Sequence, residues 1–435
     1  MKKKTNKNLK KALATALCVL CIASIASCSA EDINKQLGIA TNPPITDAVT
    51  DDDGNTVYKG AYGGLFDEGK VINIDITMAQ SDRSAMLATP ENEEYYSADV
   101  SVDGVVCKNV GFRTRGNVSF VSTTDNDRYS YKINFGKFTD GTFEGLDELC
   151  LNNMAYDPSY VREYLTYASL AKLGAPSPLA TFANVTVNGE LAGLYLAVEA
   201  VDDSFLMRVF GSCDGTLYKA NRDSTMISSD TATFEVKSGD DVSKGQLKAM
   251  LSKISDVAAL SESLDISSVL KYAAVNAVIA NEDSYLGEKA QNFYFYNKNG
   301  SFSMIPWDFN LAFGTDTSQR KDTYTIKSAL AESDISTPYF GVEANERPLV
   351  SNLLENDEYY KEYIGYVTTL AEFFEKLPED ISSVKQLIEN HVKNDTEAFY
   401  TYELFENEFD EKAENSMMGF VKKRTESIKT QLSAQ

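Results

Sequence analysis

Residues 281–314 read NEDSYLGEKAQNFYFYNKNGSFSMIPWDFNLAFG and place Asp283 and Asp308 at either end of a predicted hairpin, with Asn292 between them. Magnesium prefers hard oxygen ligands and keeps several waters, so one carboxylate and one amide oxygen can hold it when a nucleotide supplies further ligands. The other carboxylate is then free to orient a hydroxyl nucleophile. This spacing indicates a metal and phosphate site. The alternative is structural, with the acids and the amide completing turns and strand ends.

The sequence on both sides of this stretch predicts two kinds of structure. Residues 266–279 form a mostly apolar helix with Asp265 as a possible N-cap, and an Asn299-Gly300 turn closes the hairpin. Residues 348–433 have the periodicity of amphipathic helices. Upstream, the predicted strands are 71–77, 96–106, 110–117, 129–135, 181–187 and 193–201, with a helix capped at Asp157 among them. Turns are predicted at Asp103-Gly104 and Asn188-Gly189, and a further short strand at 217–219. The chain is therefore predicted to be α+β, beginning as an antiparallel sheet and ending in helices.

The composition excludes several classes of site. His391 is the only histidine, which argues against an imidazole metal centre and against Ser-His-Asp or Cys-His catalysis. Beyond residue 28 the cysteines are Cys107, Cys150 and Cys213, which predicts buried thiols, although one pair can bridge in an oxidising compartment. The formal net charge of -23 predicts that nucleic acid is not a partner.

The N-terminus resembles a bacterial lipoprotein signal. Residues 1–27 contain six lysines and no acid, and they end in an apolar run before Cys28. We expect Cys28 to be lipidated and to anchor the protein to a bacterial membrane outside the cytoplasm, at the cell surface or the periplasmic face. Residues 28–68 are acidic and poor in large apolar side chains, which predicts a flexible tether. The folded domain is then 69–433, strand-rich over about 69–200 and helix-rich over about 201–433.

Several motifs follow one another along the folded domain. They are FRTRGN at 112–117, Lys132 in the next strand, NGELAGLYLAVEAVDDSFL at 188–206, NEDSY at 281–285 with Asn292, and PWDFNLAFG at 306–314. In this order they resemble the spore coat protein H (CotH) kinases, which are secreted atypical kinases. The resemblance covers residues 71–432. It implies an atypical protein-kinase-like fold with two lobes.

The resemblance also implies roles for individual residues. Asp283 corresponds to the catalytic carboxylate, and Asn292 and Asp308 to ligands of magnesium or manganese. Asn310 stands where the family usually has a second aspartate; its amide can still donate an oxygen to the metal but lacks the charge. The residues implied in nucleotide binding are Arg115, Gly116, Asn117, Ser119, Lys132 and Glu199. Arg162 and Glu163 are both candidates for the helix residue that braces the phosphate-binding side. Trp307 is expected to be a buried wall behind Asp308. Lys219 is either a nucleotide-site residue or a solvated strand lysine.

The implied function is that of an extracytoplasmic, lipid-anchored kinase that transfers phosphate from ATP to Ser, Thr or Tyr of an unidentified protein. A second hypothesis is a catalytically weak or inactive kinase-like surface lipoprotein that acts as a structural or binding module, which Asn310 and the tether favour. A third is transfer of a nucleotidyl group, because a fold does not fix the reaction.

Overall fold

The computed structural model describes residues 48–50, 56–58, 62–67, 69, 71–116, 127–316 and 325–434. Its first elements are a short hairpin of β1 (Ala48–Thr50) and β2 (Thr56–Tyr58), followed by helix α1 (Gly63–Asp67). Tyr62, just before α1, is buried, and its hydroxyl donates to Glu199 at 2.8 Å. Tyr62 thus packs against the folded part from within the segment predicted to be a tether, and the boundary at residue 68 stays a prediction.

The strand-rich part is a closed barrel of seven strands. In chain order they are β3 (Ile72–Met78), β4 (Tyr96–Val102), β5 (Val105–Arg115), β6 (Ser130–Asn134), β7 (Glu148–Asn152), β8 (Ala180–Val187) and β9 (Glu190–Glu199). Their order around the barrel is β3-β4-β5-β6-β7-β9-β8, and it closes where β8 pairs in parallel with β3. The prediction of an antiparallel sheet is thus wrong at this point, because the β8–β9 hairpin lies between β7 and β3 and joins the two ends of the sheet.

Buried and exposed side chains alternate along the strands, so one face of each strand points into the barrel. On β3, Ile72, Ile74 and Ile76 are buried, whereas Asn73 and Asp75 between them are exposed. In the same core the rings of Phe112 and Tyr131 lie 4.9 Å apart, and those of Tyr131 and Tyr195 lie 5.9 Å apart. The outer faces of β5, β6 and β7 carry charged and polar side chains, and these faces form one wall of the site described below.

The predicted turns Asp103-Gly104 and Asn188-Gly189 are confirmed. They join β4 to β5 and β8 to β9. The backbone φ angles are 47° and 87° in the first turn and 54° and 82° in the second. Positive φ at both central residues is what a two-residue type I′ hairpin turn requires.

Three helices accompany the barrel strands in the sequence. They are α2 (Gln80–Ala88), α3 (Arg162–Lys172) and α4 (Asp203–Phe210). The prediction that Asp157 caps α3 is wrong, because the N-cap is Val161. The Asp157 carboxylate instead accepts from the backbone N–H of Arg162 at 2.8 Å and from its guanidinium at 2.6 Å. These bonds hold the turn that precedes the helix.

A second sheet lies in the part of the chain that was predicted to be helix-rich, where a short strand at 217–219 and the hairpin of 293–305 were also predicted and are confirmed. Its strands are β10 (Thr216–Ala220), β11 (Phe234–Ser238), β12 (Phe293–Lys298) and β13 (Ser301–Pro306), in the order β11-β10-β12-β13. The Asn299-Gly300 turn between β12 and β13 has φ angles of 54° and 87°, as predicted for a hairpin. The sequence did not indicate β11, which packs at the edge of this sheet.

Helices form most of the remaining chain. They are α5 (Gly245–Leu251), α6 (Val257–Ser261), α7 (Ile266–Val278), α8 (Pro348–Leu354), α9 (Asp357–Asn394), α10 (Tyr402–Glu408) and α11 (Met417–Ser433), with a small hairpin of β14 (Thr315–Asp316) and β15 (Thr325–Ile326) before α8. The predicted N-cap of α7 is confirmed, since the Asp265 side chain accepts from the Ser268 N–H. Helix α7 is buried along almost its whole length and packs against α9. This packing fixes the place where the chain leaves α7.

The fold is mixed α+β, as predicted from the sequence. Among the helices in the described ranges, none is both long enough and apolar enough to cross a membrane.

Candidate active site

A cleft of about 1190 Å³ is lined by the barrel on one side and by the second sheet on the other. The barrel contributes Arg113, Arg115, Lys132, Asn134, Glu148, Cys150 and Asn152 from the outer faces of β5, β6 and β7. The second sheet contributes Leu217, Lys219, Glu235, Lys237 and Tyr294. Asp283, Asn292 and Asp308 line the same cleft, so the residues predicted to be catalytic and metal-binding lie together.

Asp283 is held by the turn that follows α7. The Asn281 side chain accepts from the Asp283 N–H at 3.1 Å and donates to Asn276 of α7 at 2.9 Å. This pair of bonds ties the loop to the end of a buried helix. A further constraint is Gly287, where an added Cβ would lie 1.8 Å from the Glu282 carbonyl oxygen. The loop after Asp283 therefore has no room for a side chain at that position.

The Asp283 carboxylate accepts three side-chain hydrogen bonds. Lys289 Nζ lies 2.5 Å and Gln291 Nε2 3.1 Å from Oδ1, and Asn292 Nδ2 lies 3.0 Å from Oδ2. Lys289 also lines the cleft, with its side chain 30% exposed. Sequence reasoning did not identify Lys289 or Gln291. Their only sequence signal is proximity to Asp283, and a lysine in a polar loop is too common to indicate a role.

Asn292 connects the two acidic loops. Its Nδ2 group donates to the Asp283 carboxylate and, at 2.7 Å, to the Asp283 carbonyl oxygen. Both bonds use the amino group, and the described residues place no donor on the amide oxygen. The backbone carbonyl of Asn292 accepts from the Trp307 N–H at 3.2 Å. Asn292 therefore holds Asp283 on one side and the segment of Asp308 on the other.

Asp308 stands in a left-handed backbone conformation with φ 59°. Burial and then the charge of Asp283 raise the pKa of Asp308, whereas Arg115 and Lys219 oppose the rise. The backbone N–H of Asn310 donates to the Asp308 carboxylate. Trp307 is 6% exposed and meets the ring of Tyr294 edge-on at 5.9 Å, so it is buried, and its role as a wall behind Asp308 stays a prediction.

The oxygen donors in the cleft fit magnesium better than a metal whose ligands must all come from the protein. Asp308 supplies a carboxylate and Asn292 an amide oxygen, and Asn310 lines the same cleft. Within the described ranges, no group of three or more His, Cys, Asp or Glu side chains can hold a metal. Two or three protein oxygens suit magnesium, which keeps waters and takes phosphate oxygens as further ligands. They do not suit structural zinc, which needs four protein ligands.

Three of the predicted nucleotide-binding residues line the cleft. Arg115 donates to Asn152, and its guanidinium lies 5.8 Å from the centre of the Trp307 ring. The Gly116 N–H donates to Glu93 at 3.0 Å. Lys132 forms an ion pair with Glu148. The backbone and side chains at this end of the cleft are thus already organised by neighbours within the barrel. Asn117 and Ser119, like Cys28, lie outside the described residues.

The family model described as CotH kinase protein matches residues 112–428. The chain belongs to the CotH kinase protein family. The match includes the barrel strands that carry Arg115 and Lys132, the loops of Asp283 and Asp308, and most of the C-terminal helices.

Two curated relatives from Bacillus subtilis (strain 168) are similar to this CotH family member. Inner spore coat protein H is 30% identical over 209 residues, which are 44% of this chain and 56% of that protein. Inner spore coat protein H-like protein is 34% identical over 91 residues, which are 20% of this chain and 28% of that protein. The first match thus spans about half of the relative's length, and the second spans less.

Among solved structures, a complex described as the Shewanella oneidensis MR-1 toxin antitoxin system HipA, HipB and its operator DNA contains a similar chain. The TM-score is 0.33 at 12% identity, covering 81% of this chain and 79% of that chain. A likeness of this size is too weak to establish a shared fold.

Arg162 and Glu163 of α3, the two residues predicted to brace the phosphate-binding side, have different surroundings in this CotH protein. Glu163 lines the cleft, accepting from Asn152 at 2.7 Å and from Tyr167 at 3.1 Å. Burial, followed by the charge of Asp308, raises the pKa of Glu163 to about 7. Of the two candidates, Glu163 is therefore the one that faces the cleft, where it shares Asn152 with Arg115.

Arg162 points elsewhere. Its guanidinium is fully buried and pairs with Asp157 at 2.6 Å and with Glu408 of α10 at 2.7 Å. These pairs join the start of α3 to the C-terminal helices, so Arg162 has a structural role and does not line the cleft.

The Glu199 side chain does not line the cleft, so its predicted contact with a nucleotide has no support from the geometry. The carboxylate is completely buried and accepts from Tyr62, from the Leu179 N–H at 3.0 Å and from Arg208. These partners occupy both oxygens and face away from the cleft. The residues directly after it, 200–203, do line the cleft. The positions of this motif that line the cleft therefore follow the glutamate.

Proposed function

We propose that this CotH family member is a kinase that transfers the γ-phosphoryl group of ATP to a hydroxyl of Ser, Thr or Tyr in a protein. The observation that carries the proposal is the convergence of Asp283, Asn292 and Asp308 in one cleft. After burial, the charge of Asp283 is the strongest influence that raises the pKa of Asp308, so the two carboxylates act on each other. Two carboxylates in a half-buried cleft favour a bound cation.

In this proposal Asp283 orients the acceptor hydroxyl and takes its proton. A bond forms between the acceptor oxygen and the γ-phosphorus, the bond from that phosphorus to the bridging oxygen breaks, and ADP leaves. Lys289, Gln291 and Asn292 keep the carboxylate in place through the hydrogen bonds described above. The carboxylate therefore needs little reorganisation when the acceptor arrives.

The metal side of the cleft has separate residues. Asp308 and the amide oxygen of Asn292 would hold magnesium or manganese, with Asn310 as an uncharged third donor. A bound metal ion neutralises charge on the phosphates, which is its main contribution to phosphoryl transfer. Arg115, at the end of β5, lies on the opposite wall and adds a second positive charge to the same region.

The kinase-like arrangement of two lobes is part of the proposal. The barrel would cover the nucleotide, the second sheet and the helices would carry the catalytic loops, and residues 200–203 would connect the two beside the base. Family membership supports this arrangement. Lipid anchoring at Cys28 and a location outside the cytoplasm also belong to the proposal, and the signal-like sequence of residues 1–28 supports them.

Transfer of label from γ-labelled ATP tests the activity. The purified full-length protein with magnesium or manganese is expected to label itself or dephosphorylated casein, and EDTA is expected to stop the reaction. Asp283→Ala and Asp308→Ala should each lower the initial rate by about 100-fold or more, because one removes the proton acceptor and the other a metal ligand.

Glu282→Gln is the matched control. Glu282 precedes Asp283 in the same loop, pairs with Lys327 at 2.5 Å and does not line the cleft. Its variant should retain the rate of the unaltered protein. Label that persists at that rate in both aspartate variants contradicts the proposal.

Asn310 favours a second function, a catalytically weak or inactive CotH protein that serves as a binding module. An amide in place of the family's usual second aspartate lowers the negative charge that holds a metal. A thermal midpoint that does not change in millimolar Mg-ATP would favour this second function over the kinase.

A further inference from the structure

The cations that line the cleft differ in whether a carboxylate neutralises them. They are Arg113, Arg115, Lys132, Lys219, Arg222, Lys237 and Lys289. Five pairs have an N–O distance of 4.0 Å or less: Arg113–Glu93, Lys132–Glu148, Arg222–Asp223, Lys237–Glu235 and Lys289–Asp283. Within the part of the chain that the structure describes, Arg115 and Lys219 have no such partner. These two side chains therefore bring positive charge to the cleft that no direct ion pair offsets.

Arg115 comes from the barrel wall. Its two close neighbours, Asn152 and the ring of Trp307, are both neutral. Burial lowers the pKa of Arg115, but negative groups that include Asp308 and Glu163 raise it more. The guanidinium is thus charged and held in place, yet it has donors that no carboxylate engages directly.

Lys219 comes from the opposite wall. It lies on β10, opposite Glu235 of β11 and Tyr294 of β12. Burial and the positive charges of Arg115 and Lys237 lower the pKa of Lys219, while Asp308 and Glu235 raise it. Lys219 and Arg115 carry like charges on opposite walls of the cleft, and these charges repel each other. An anion between them would remove that repulsion.

Arg115 and Lys219 lie close to the segment of Asp308, the proposed metal ligand. The Arg115 guanidinium lies over the ring of Trp307, the residue before Asp308, and Lys219 pairs across the sheet with Tyr294, whose ring meets that of Trp307. A magnesium ion on Asp308 would take phosphate oxygens as further ligands, so the phosphates must lie next to Asp308. Lys132, by contrast, forms a direct ion pair with Glu148, whose carboxylate also accepts from Asn134 at 2.7 Å.

We propose that Lys219 and Arg115 bind the β- and γ-phosphates of the nucleotide from opposite walls, and that Lys219 makes the cleft selective for nucleoside triphosphates over monophosphates. The inference rests on the proposed function, because it requires a nucleotide in this cleft. It places a phosphate-binding lysine on β10 of the second sheet, whereas the charge of Lys132 on the barrel wall is offset by Glu148.

Calorimetric titration of the full-length protein with Mg-ATP and, separately, with AMP tests this role. Lys219→Ala should weaken Mg-ATP binding by about tenfold or more, because a charge-assisted contact with phosphate is lost. The same variant should bind AMP within about twofold of the unaltered protein, because AMP lacks the two outer phosphates. Lys219→Arg should retain most of the Mg-ATP affinity, since it keeps the charge.

Lys422→Ala is the control. Lys422 does not line the cleft, its side chain is 46% exposed, and it pairs with Glu411 at 3.6 Å. Its loss should change Mg-ATP affinity by no more than about twofold. Thermal midpoints show whether each variant is folded, and Lys219→Gln replaces the alanine variant if the latter unfolds.

The outcomes separate this inference from the proposed function. Unchanged Mg-ATP binding in Lys219→Ala, or equal losses for Mg-ATP and AMP, would overturn the role of Lys219 while the kinase proposal stands. An unaltered protein that binds no Mg-ATP would overturn the proposed function and the inference with it.

Discussion

Asp283 has three donors around one carboxylate, and one of them, Lys289, is charged. Oδ1 receives Lys289 and Gln291, while Oδ2 receives Asn292, so each oxygen is oriented. A general base must be held within hydrogen-bonding reach of the proton that it removes. At the scale of single residues, Lys289 is therefore the side chain outside the family motifs that bears most directly on catalysis.

Lys289→Ala should lower kcat by about tenfold to 100-fold and change the KM for ATP little. The reason is that Lys289 contacts the carboxylate on the acceptor side of the cleft and not the proposed metal ligands. Lys289→Arg should restore part of kcat, because it returns a positive donor. Initial rates over a range of ATP concentrations measure both constants.

Lys327→Ala provides the comparison for that experiment. Lys327 pairs with Glu282, the residue next to Asp283, at the same 2.5 Å distance but away from the cleft. Its variant should have unaltered kinetics. Equal kinetic effects of the two lysine variants, or a Lys289→Ala variant that loses only ATP affinity, would contradict the role of Lys289.

The local spacing of residues 281–314 is enough to predict that Asp283, Asn292 and Asp308 lie together. All three lie within one helix-to-hairpin segment, where a tight turn returns the chain to its start. Glu199 shows where such reasoning stops. Whether a side chain on a buried strand faces the cleft or the core depends on partners such as Tyr62 and Arg208, which are distant or on another element.

At the scale of elements, α11 supports the loop that carries Asp283. Arg424 of α11 donates to the carbonyl oxygens of Ala277 and Val278 at the end of α7, at 2.9 Å and 3.3 Å. It also donates to Ser333 at 2.6 Å. Burial lowers the pKa of Arg424 to about 10, so the guanidinium stays charged at neutral pH. A C-terminal helix thereby caps the carbonyls from which the catalytic loop begins.

Arg424→Met should lower the free energy of unfolding by about 3 kcal/mol, because several buried carbonyl oxygens lose their donor. It should also lower kcat in the fraction that remains folded, since the end of α7 positions Asn281 and Asp283. Urea unfolding monitored by circular dichroism gives the first quantity, and assays below the melting range give the second.

Lys429→Ala on the same helix is the control. Lys429 is 51% exposed and pairs with Glu375, which is equally exposed, so its loss should change stability by no more than about 0.5 kcal/mol. If Arg424→Met matches this control in stability and in kcat, α11 does not support the loop.

Elements with a local signal were predictable. The hairpins at Asn188-Gly189 and Asn299-Gly300 follow from residues that tolerate positive φ, and α7 follows from its N-cap and apolar length. The start of α3 was not predictable, because Asp157 binds Arg162 in a turn that imitates a cap. The strand β11 was missed because Phe234–Ser238 is short and mostly polar.

At the scale of the whole molecule, the closure of the barrel could not be predicted from the sequence. Strand β3 pairs with β8, more than a hundred residues later in the chain, and each strand alone reads as an ordinary alternating strand. The outer faces of β8 and β9 also contribute to the core of the C-terminal part, through Phe182, Leu196 and Val198. The two walls of the cleft are thus joined by a shared core.

A buried ion pair strengthens this connection. Arg128, before β6, lies 2.6 Å from Asp395 at the end of α9, and each side chain is 1% exposed. The Arg128 guanidinium also donates to the Leu194 carbonyl oxygen in β9. The barrel and the long helix α9 are therefore fixed to each other by buried contacts.

The most direct test of phosphoryl transfer compares ATP labelled at the γ-phosphate with ATP labelled at the α-phosphate. The full-length protein, magnesium and dephosphorylated casein are used in parallel reactions, with Asp283→Ala beside them. We predict label in protein from γ-labelled ATP only, with Asp283→Ala lower by about 100-fold. Protein label from α-labelled ATP would instead indicate nucleotidyl transfer, and equal γ-label in the Asp283→Ala variant would contradict the central role of Asp283.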